Sequence, residues 1–265
     1  MQTETEIRNL IIDSGHKLLK EELVSRTWGN ISARLDEKRF IITPSGRDYL
    51  SLRPEELVIV DIATLSHEGD IKPSSEKGIH AAIYAQHPEI NFVIHTHQFY
   101  ACAISAETVN KRQFYKHISP DGFDAIRVPY AMPGTKALCK NFTLAMKEYP
   151  DTDEFILSRH GAVVFAANAD EAFNKASALE LRCKAQYEKL SRDVSRGRTK
   201  KPWLDDYAQL VWLREKKECD DMEAARLIME KNAAAARYVH FSLPLPHVDA
   251  GIQKLVYQCK YSKLK

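Results

Sequence analysis

The sequence predicts an α/β domain in which one sheet is covered by helices, over residues 1–195, followed by a helical extension over 196–265. Three observations carry the prediction. Strand-like β-branched runs alternate with helix-period apolar runs up to Leu190. The composition is that of an ordinary globular chain, with 44% hydrophobic and 28% charged residues in 265. Finally, the apolar periodicity breaks between Arg192 and Pro202, where Arg192, Arg196, Arg198, Lys200 and Lys201 surround Gly197 and read as an exposed linker.

Taken in order, Ile7, Leu10, Ile11, Leu18 and Leu19 recur at helical spacing and predict a first helix running to about Arg26-Thr27-Trp28, with Gly29 as its stop. Short β-branched runs at Ile31 to Leu35, Arg39 to Thr43 and Leu57 to Ala63 follow as consecutive strands, the second leading into the turn Thr43-Pro44-Ser45-Gly46. Pro73-Ser74-Ser75-Glu76 opens a helix carrying Ile79, Ala82 and Ile83 that Pro88 ends. Asn91 to His97 and Arg127 to Ala131 read as strands, Thr135 to Tyr149 as a helix, and Glu154 to Ala166 as two strands turning at His160-Gly161. Ala169 to Leu190 is a long helix; Asp205 to Lys217 and Asp220 to Arg237 have helical composition, and Pro244-Leu245-Pro246 leads to a short last element.

Charge and cysteine usage exclude several classes of function. Thirty-eight Lys+Arg against 36 Asp+Glu, mixed along the chain, leave a net charge of +2 and no basic footprint for nucleic acid. The most apolar stretch, Ala162 to Ala167, falls far short of the roughly 20 residues that cross a bilayer. The acidic start is unlike a signal peptide, so no membrane partner and no secretion are expected. Cysteines 102, 139, 183, 219 and 259 are odd in number and contain no Cys-x-x-Cys, which fits small buried hydrophobes in a reducing cytoplasm.

The chemistry gathers on a few positions. His95 and His97 stand at i and i+2 of a strand, so both imidazoles project from one face and can clamp a cation. A third nitrogen is needed, and His160, at a strand end before Gly161, can supply it. Glu76 follows two serines at a helix start and reads either as capping chemistry or as a proton carrier beside the metal. Gly29-Asn30, Ser45-Gly46 and Ser74-Ser75 are small-residue turns that either reverse the chain or offer donors to an anion. His80, four residues beyond Glu76, can orient it or be a surface histidine, and Trp28 reads as a core anchor.

Five motifs in order, Thr27-Trp28-Gly29-Asn30-Ile31-Ser32, Thr43-Pro44-Ser45-Gly46, Pro73-Ser74-Ser75-Glu76, His95-Thr96-His97 and Arg159-His160-Gly161, resemble those of the class II aldolase/adducin family over about residues 5–190. Their form is similar to that of members cleaving L-fuculose 1-phosphate. The resemblance implies a three-layer α/β/α sandwich around a mainly antiparallel sheet, assembled as a homotetramer with sites between subunits. It implies Zn2+ or another divalent transition metal on His95, His97 and His160, Glu76 as the acid/base carboxylate, and a phosphate held by Gly29, Asn30, Ser45, Gly46, Ser74 and Ser75. It also implies a tyrosine from the next subunit that protonates the aldehyde oxygen, and Tyr115 lies near the position of that residue.

The implied reaction is cleavage of a ketose phosphate to dihydroxyacetone phosphate and an aldehyde through an enediolate stabilised by the metal. Family alternatives are a methylthioribulose-1-phosphate dehydratase, a sugar-acid phosphate decarboxylase, a ribulose-5-phosphate 4-epimerase, and an adducin-like scaffold without catalysis. The glutamate form of the Pro-Ser-Ser-Glu motif disfavours the epimerase, and retained histidines disfavour the scaffold. Two departures bear on the substrate. Arg159 stands where the family commonly has Asn or His, adding a fixed cation, and the long C-terminal region holds Tyr207, Trp212 and Tyr238, which pack or cover the ligand.

Overall fold

Successive side chains along each strand point to opposite faces of a single sheet, and as nearly all are buried they divide the core into two apolar layers, one on each face. The computed structural model describes residues 2–24, 28–105 and 125–198. Its elements are α1 (Glu4–Lys20), β1 (Asn30–Arg34), β2 (Arg39–Ile42), a 3-10 turn (Pro54–Glu56), β3 (Val58–Asp61), α2 (Lys77–Gln86), β4 (Phe92–Thr96), α3 (Phe99–Ser105), β5 (Ile126–Val128), α4 (Lys136–Glu148), β6 (Glu154–Leu157), β7 (Gly161–Ala166) and α5 (Ala169–Ser195). The seven strands lie in the order β3-β2-β1-β4-β7-β6-β5, antiparallel throughout except for the edge pair β5 and β6.

Ile31, Ala33, Phe92, Ile94, Ala162 and Val164 face α1, α3 and α5, while Phe40, Ile42, Val93, Phe155, Val163 and Phe165 face α2 and α4. This is the three-layer α/β/α sandwich with a mainly antiparallel sheet. The alternation also turns Asn30 and Ser32, which flank Ile31, towards α2, and His95, which flanks Ile94, to the same side.

The first helix departs from the sequence reading. It ends at Lys20 rather than near Arg26, because Glu22 adopts φ 56° and closes the end. Leu23 N–H bonds to Leu18 C=O and Glu22 N–H to Leu19 C=O, with Leu18 and Leu23 both buried. That is the Schellman arrangement, built here on glutamate where glycine is usual. Gly29 is therefore not the stop.

Two elements have no counterpart in the sequence reading. Pro54–Glu56 forms a 3-10 turn, and Arg8 Nη1 donates to the Pro54 C=O of that turn at 2.8 Å and to the Leu57 C=O after it at 2.7 Å. Phe99–Ser105 is a buried helix too short and uniformly apolar to show a period. Its first N–H groups, from Tyr100 and Ala101, donate to the Glu180 carboxylate of α5 at 2.7 and 3.0 Å. The long helix continues past Leu190 to Ser195, the boundary expected for the first domain. The helices expected beyond it, and Tyr115, Tyr207, Trp212 and Tyr238, lie outside the described residues.

Candidate active site

The ends of β4 and β7 and the start of α2 converge on one buried polar cluster. His95 lies in β4 with Asn30 directly across on β1 and Val163 across on β7. Its Nδ1 lies 2.8 Å from Ala162 C=O, an atom that only accepts, so this nitrogen carries a proton and Nε2 is the one turned into the cluster. His97 Nε2 stands 2.9 Å from that Nε2, and His160 follows β6, with rings 4.7 Å from His95 and 4.9 Å from His97.

Glycine makes this approach possible twice. A side chain at Gly161 would meet Thr96 C=O at 2.2 Å, His97 at 3.2 Å and His95 at 3.3 Å. One at Gly29 would meet His95 C=O at 2.4 Å, and Gly29 also sits at φ +83°, where a side chain strains the backbone. Trp28 is half-buried with its ring edge-on to His97 at 5.6 Å, so it borders the cluster rather than anchoring a core.

Glu76 stands at the N-cap of α2, but its side chain makes no capping bond. The carboxylate instead turns inward, with Oε2 3.0 Å from His95 Nε2 and Oε1 3.4 Å from His160 Nε2. Burial works against its charge, yet His160 and then His95 outweigh that and hold the carboxyl well below the usual range. Burial also pushes His160 down to about 4, leaving a neutral imidazole above that pH. Imidazole nitrogens and carboxylate oxygens thus crowd together with few protons between them, and Oε1 has no hydrogen-bond donor among the described residues. One ligand atom from each of His95, His97 and His160 falls within 4.8 Å of the others. The donor set fits a divalent metal ion.

The turn residues divide. Ser74 N–H donates to Thr43 C=O and Ser45 N–H to Lys72 C=O, which joins the two turns beside the cluster. The Ser45 amide is thereby engaged, while Ser45, Gly46 and Ser75 themselves are exposed. Ser74 is buried, and its hydroxyl accepts from Glu76 N–H at 3.2 Å. Asn30 differs from the open turn expected of it: it is buried, with Nδ2 donating to Glu76 Oε2 at 3.2 Å. Arg159 precedes His160 at φ 56°, its N–H held by Ser105 C=O at 2.8 Å and its guanidinium 5.7 Å from the Tyr130 ring.

His80 overturns the surface reading. It is fully enclosed, bonded to Asn30 and Ser32, and stacked parallel to Phe40. Sequence reasoning gave Ser32, quoted only within a motif, and Tyr84 no role, although Glu76, His80 and Tyr84 recur every fourth residue and so share one stripe of α2 and its N-cap.

Three histidines placed to hold a metal beside a buried carboxylate, at the strand ends of an α/β/α sandwich, fit the chemistry of a metal-dependent enzyme. Residues 9–187 match the family model described as Class II Aldolase and Adducin N-terminal domain, and the chain belongs to that family. It is 31% identical over 182 residues to a 5-deoxy-D-ribulose 1-phosphate aldolase of Bacillus thuringiensis serovar kurstaki, covering 68% of this chain and 84% of that protein. It is 31% identical over 172 residues to an L-fuculose phosphate aldolase of Escherichia coli K12, covering 64% and 78%. Among solved structures, YgbL of Klebsiella pneumoniae, described as a putative aldolase/epimerase/decarboxylase, aligns with a TM-score of 0.60 at 25% identity over 70% of this chain and 90% of its own. Relatives of other activity also match: a methylthioribulose-1-phosphate dehydratase of Pectobacterium atrosepticum at 36% over 103 residues, covering 39% of this chain and 50% of that protein, and the L-ribulose-5-phosphate 4-epimerase UlaF of Salmonella paratyphi C at 27% over 187, covering 66% and 81%.

Proposed function

We propose that this chain is an aldolase that cleaves a ketose phosphate of the fuculose-1-phosphate kind to dihydroxyacetone phosphate and an aldehyde, with zinc held by His95, His97 and His160. The observation that carries the reading is the Glu76 carboxylate, buried against two imidazoles with Oε1 lacking a donor. When bound, the metal supplies a Lewis acid that draws electron density from substrate oxygens. Glu76 is the proton carrier: Oε1, without a donor among the described residues, can accept a proton while Asn30 Nδ2 holds Oε2. The exposed hydroxyls of Ser45 and Ser75, with Gly29 and Gly46, receive the phosphate, and Ser74 fixes the turn that carries Glu76. Asn30 then serves the carboxylate and the substrate from one position. Binding at the phosphate orients the reacting carbons, so a substrate lacking phosphate should lose turnover as well as affinity.

The chain is further proposed to act in the cytoplasm as a homotetramer, with Tyr115 of a neighbouring subunit protonating the aldehyde oxygen. Among the described residues no helix is long and apolar enough to cross a membrane, and Cys102, Cys139 and Cys183 are free. Arg159 favours a second reading, decarboxylation of a sugar-acid phosphate, because a fixed cation at the residue next to His160 in the chain suits a carboxylate.

The test is elemental analysis of protein purified without chelator, then a panel of fuculose, rhamnulose, ribulose and methylthioribulose phosphates with a sugar-acid phosphate. Release of dihydroxyacetone phosphate is expected. Carbon dioxide, water loss, or inversion without fragmentation would assign the decarboxylase, the dehydratase or the epimerase instead, and protein that takes up no transition metal would remove the mechanism.

A further inference from the structure

An unbroken chain of buried side chains runs from the Glu76 carboxylate into the layer between β1 and α2. Asn30 Nδ2 lies 3.2 Å from Glu76 Oε2, and Asn30 Oδ1 lies 2.5 Å from His80 Nε2. His80 Nδ1 lies 2.6 Å from Ser32 Oγ, which lies 2.8 Å from the Tyr84 hydroxyl. All five side chains are buried.

The direction of the bonds follows from the Asn30 amide, whose NH2 faces Glu76 Oε2 and whose carbonyl oxygen faces His80 Nε2. That oxygen only accepts, so His80 carries its proton on Nε2 and receives the Ser32 hydroxyl proton at Nδ1. The Ser32 oxygen then takes the Tyr84 hydroxyl proton. The ring needs to be neutral for this, and burial pushes His80 down to about 3. Burial likewise raises the Tyr84 phenol, which keeps its proton. Phe40 stacks on the His80 ring at 6.5 Å and 9°, and Arg34 ties the end of α2 to β1 through Tyr84, His87 and Ile90 carbonyls at 2.8–2.9 Å.

We infer that His80 is a positioning residue: by donating from Nε2 to Asn30 Oδ1, with Ser32 and Tyr84 completing the bonds on its other side, it holds the Asn30 NH2 end on Glu76 and so aims the carboxylate at His95 and His160. His80 anchors the oxygen end of that amide, so Asn30 cannot swing its NH2 away from Glu76 without losing a second buried bond. The inference rests on the reading of Glu76 as the proton carrier.

Two amide substitutions separate this role from core filling. In His80→Gln the side-chain nitrogen reaches the place of Nε2 and keeps the bond to Asn30. In His80→Asn the shorter amide reaches only the place of Nδ1, so Asn30 Oδ1 loses its donor. Both replace a buried ring by a smaller polar group, and comparable losses in melting temperature are expected. Crystal structures should show the Asn30–Glu76 bond kept in His80→Gln and broken or reversed in His80→Asn. Turnover on the substrate found by the panel should be about 10-fold or more lower in His80→Asn than in His80→Gln, with KM moving less.

Wild-type Asn30–Glu76 geometry in His80→Asn, or equal turnover losses that track melting temperature, would overturn the inference. If both variants fail to fold, histidine-selective 15N NMR of the wild-type chain decides: the Nε2–H tautomer of His80 is expected, and the Nδ1–H tautomer would refute the relay. A wild-type chain with neither metal nor turnover would sink the aldolase reading alone, since the variant structures still report whether His80 sets the carboxylate.

Discussion

Gly161→Ala tests whether the closeness of β4 and β7 is what builds the metal site. Gly161 opens β7 opposite Leu157, and the added Cβ would stand 2.2 Å from Thr96 C=O on β4. Ordinary contact begins at 3.4 Å, so the two strands must part by about 1.2 Å or the turn must tilt. The backbone at Gly161 is not in the left-handed region, so the cost is steric alone. Parting the strands stretches the 2.8 Å bond from His95 Nδ1 to Ala162 C=O beyond hydrogen-bonding range and frees the His95 tautomer. Overpacking of about 1–3 kcal/mol plus one lost bond of about 1 gives roughly 2–4 kcal/mol of destabilisation. For a domain of this size that lowers Tm by roughly 5–15 °C. Metal affinity should fall about 10- to 100-fold, the scale of a lost partner to a metal-bound histidine. The control is Gly46→Ala, at φ +71° with nothing within 4 Å, where only backbone strain of about 1 kcal/mol applies and metal affinity holds. Thermal unfolding followed by circular dichroism, with chelator competition on the same samples, measures both quantities. Wild-type affinity and Tm in Gly161→Ala, or the same losses in Gly46→Ala, would refute the reasoning.

Glu76→Gln should keep fold and metal while lowering turnover by roughly 100-fold or more; were the residue only a helix cap, the change would cost about 1 kcal/mol or less and leave turnover intact. Acid should destabilise metal-free protein, because burial lowers His160 to about 4 and His80 to about 3 from an unfolded value of 6.5. Since the unfolded chain then binds protons that the folded chain refuses, stability is full above about pH 6.5 and falls towards pH 4, by up to about 1.4 kcal/mol per pH unit for each histidine. Glu76, held well below 4.5, acts in the same direction at still lower pH. Urea unfolding between about pH 7.5 and 4.5 measures the slope, which His80→Gln should reduce by about half; an unchanged slope would show that His80 is not the neutral buried group.

The sheet was legible because its strands are β-branched, bounded by turn residues, and buried on both faces. Asn30–Arg34, Arg39–Ile42, Phe92–Thr96 and Gly161–Ala166 fall within a residue or two of the sequence expectation. The end of α1 was not legible, because it depends on Glu22 adopting a conformation that sequence reasoning reserves for glycine. Helix α3 escaped for a different reason. A seven-residue run, nearly all buried, presents no polar face, and its N-terminus is satisfied by Glu180, eighty residues away from Tyr100.

The site shows the same limit in a sharper form. His95 and His97 declare themselves by strand spacing, and His160 by its place before Gly161, where a side chain would collide with both. The positions that hold Glu76 do not declare themselves, because each polar pattern taken alone has an ordinary meaning. Gly29-Asn30 reads as a turn, Glu76 as a helix cap or a proton carrier and His80 as its partner or a surface histidine, while Ser32 on the strand and Tyr84 on the helix are polar positions of the kind that usually face solvent. Only the sheet order reverses both meanings. With β1 between β2 and β4, and Phe40 and Val93 on the neighbouring strands packing in the same layer as Ile79 and Ile83 of α2, the two polar stripes meet inside the protein. A polar stripe on a strand and one on a helix, each flanked by residues too apolar for a free surface, are therefore better read as a pair facing each other than as two solvent faces. In this chain that pairing is what turns a residue at a helix start into a buried, aimed carboxylate.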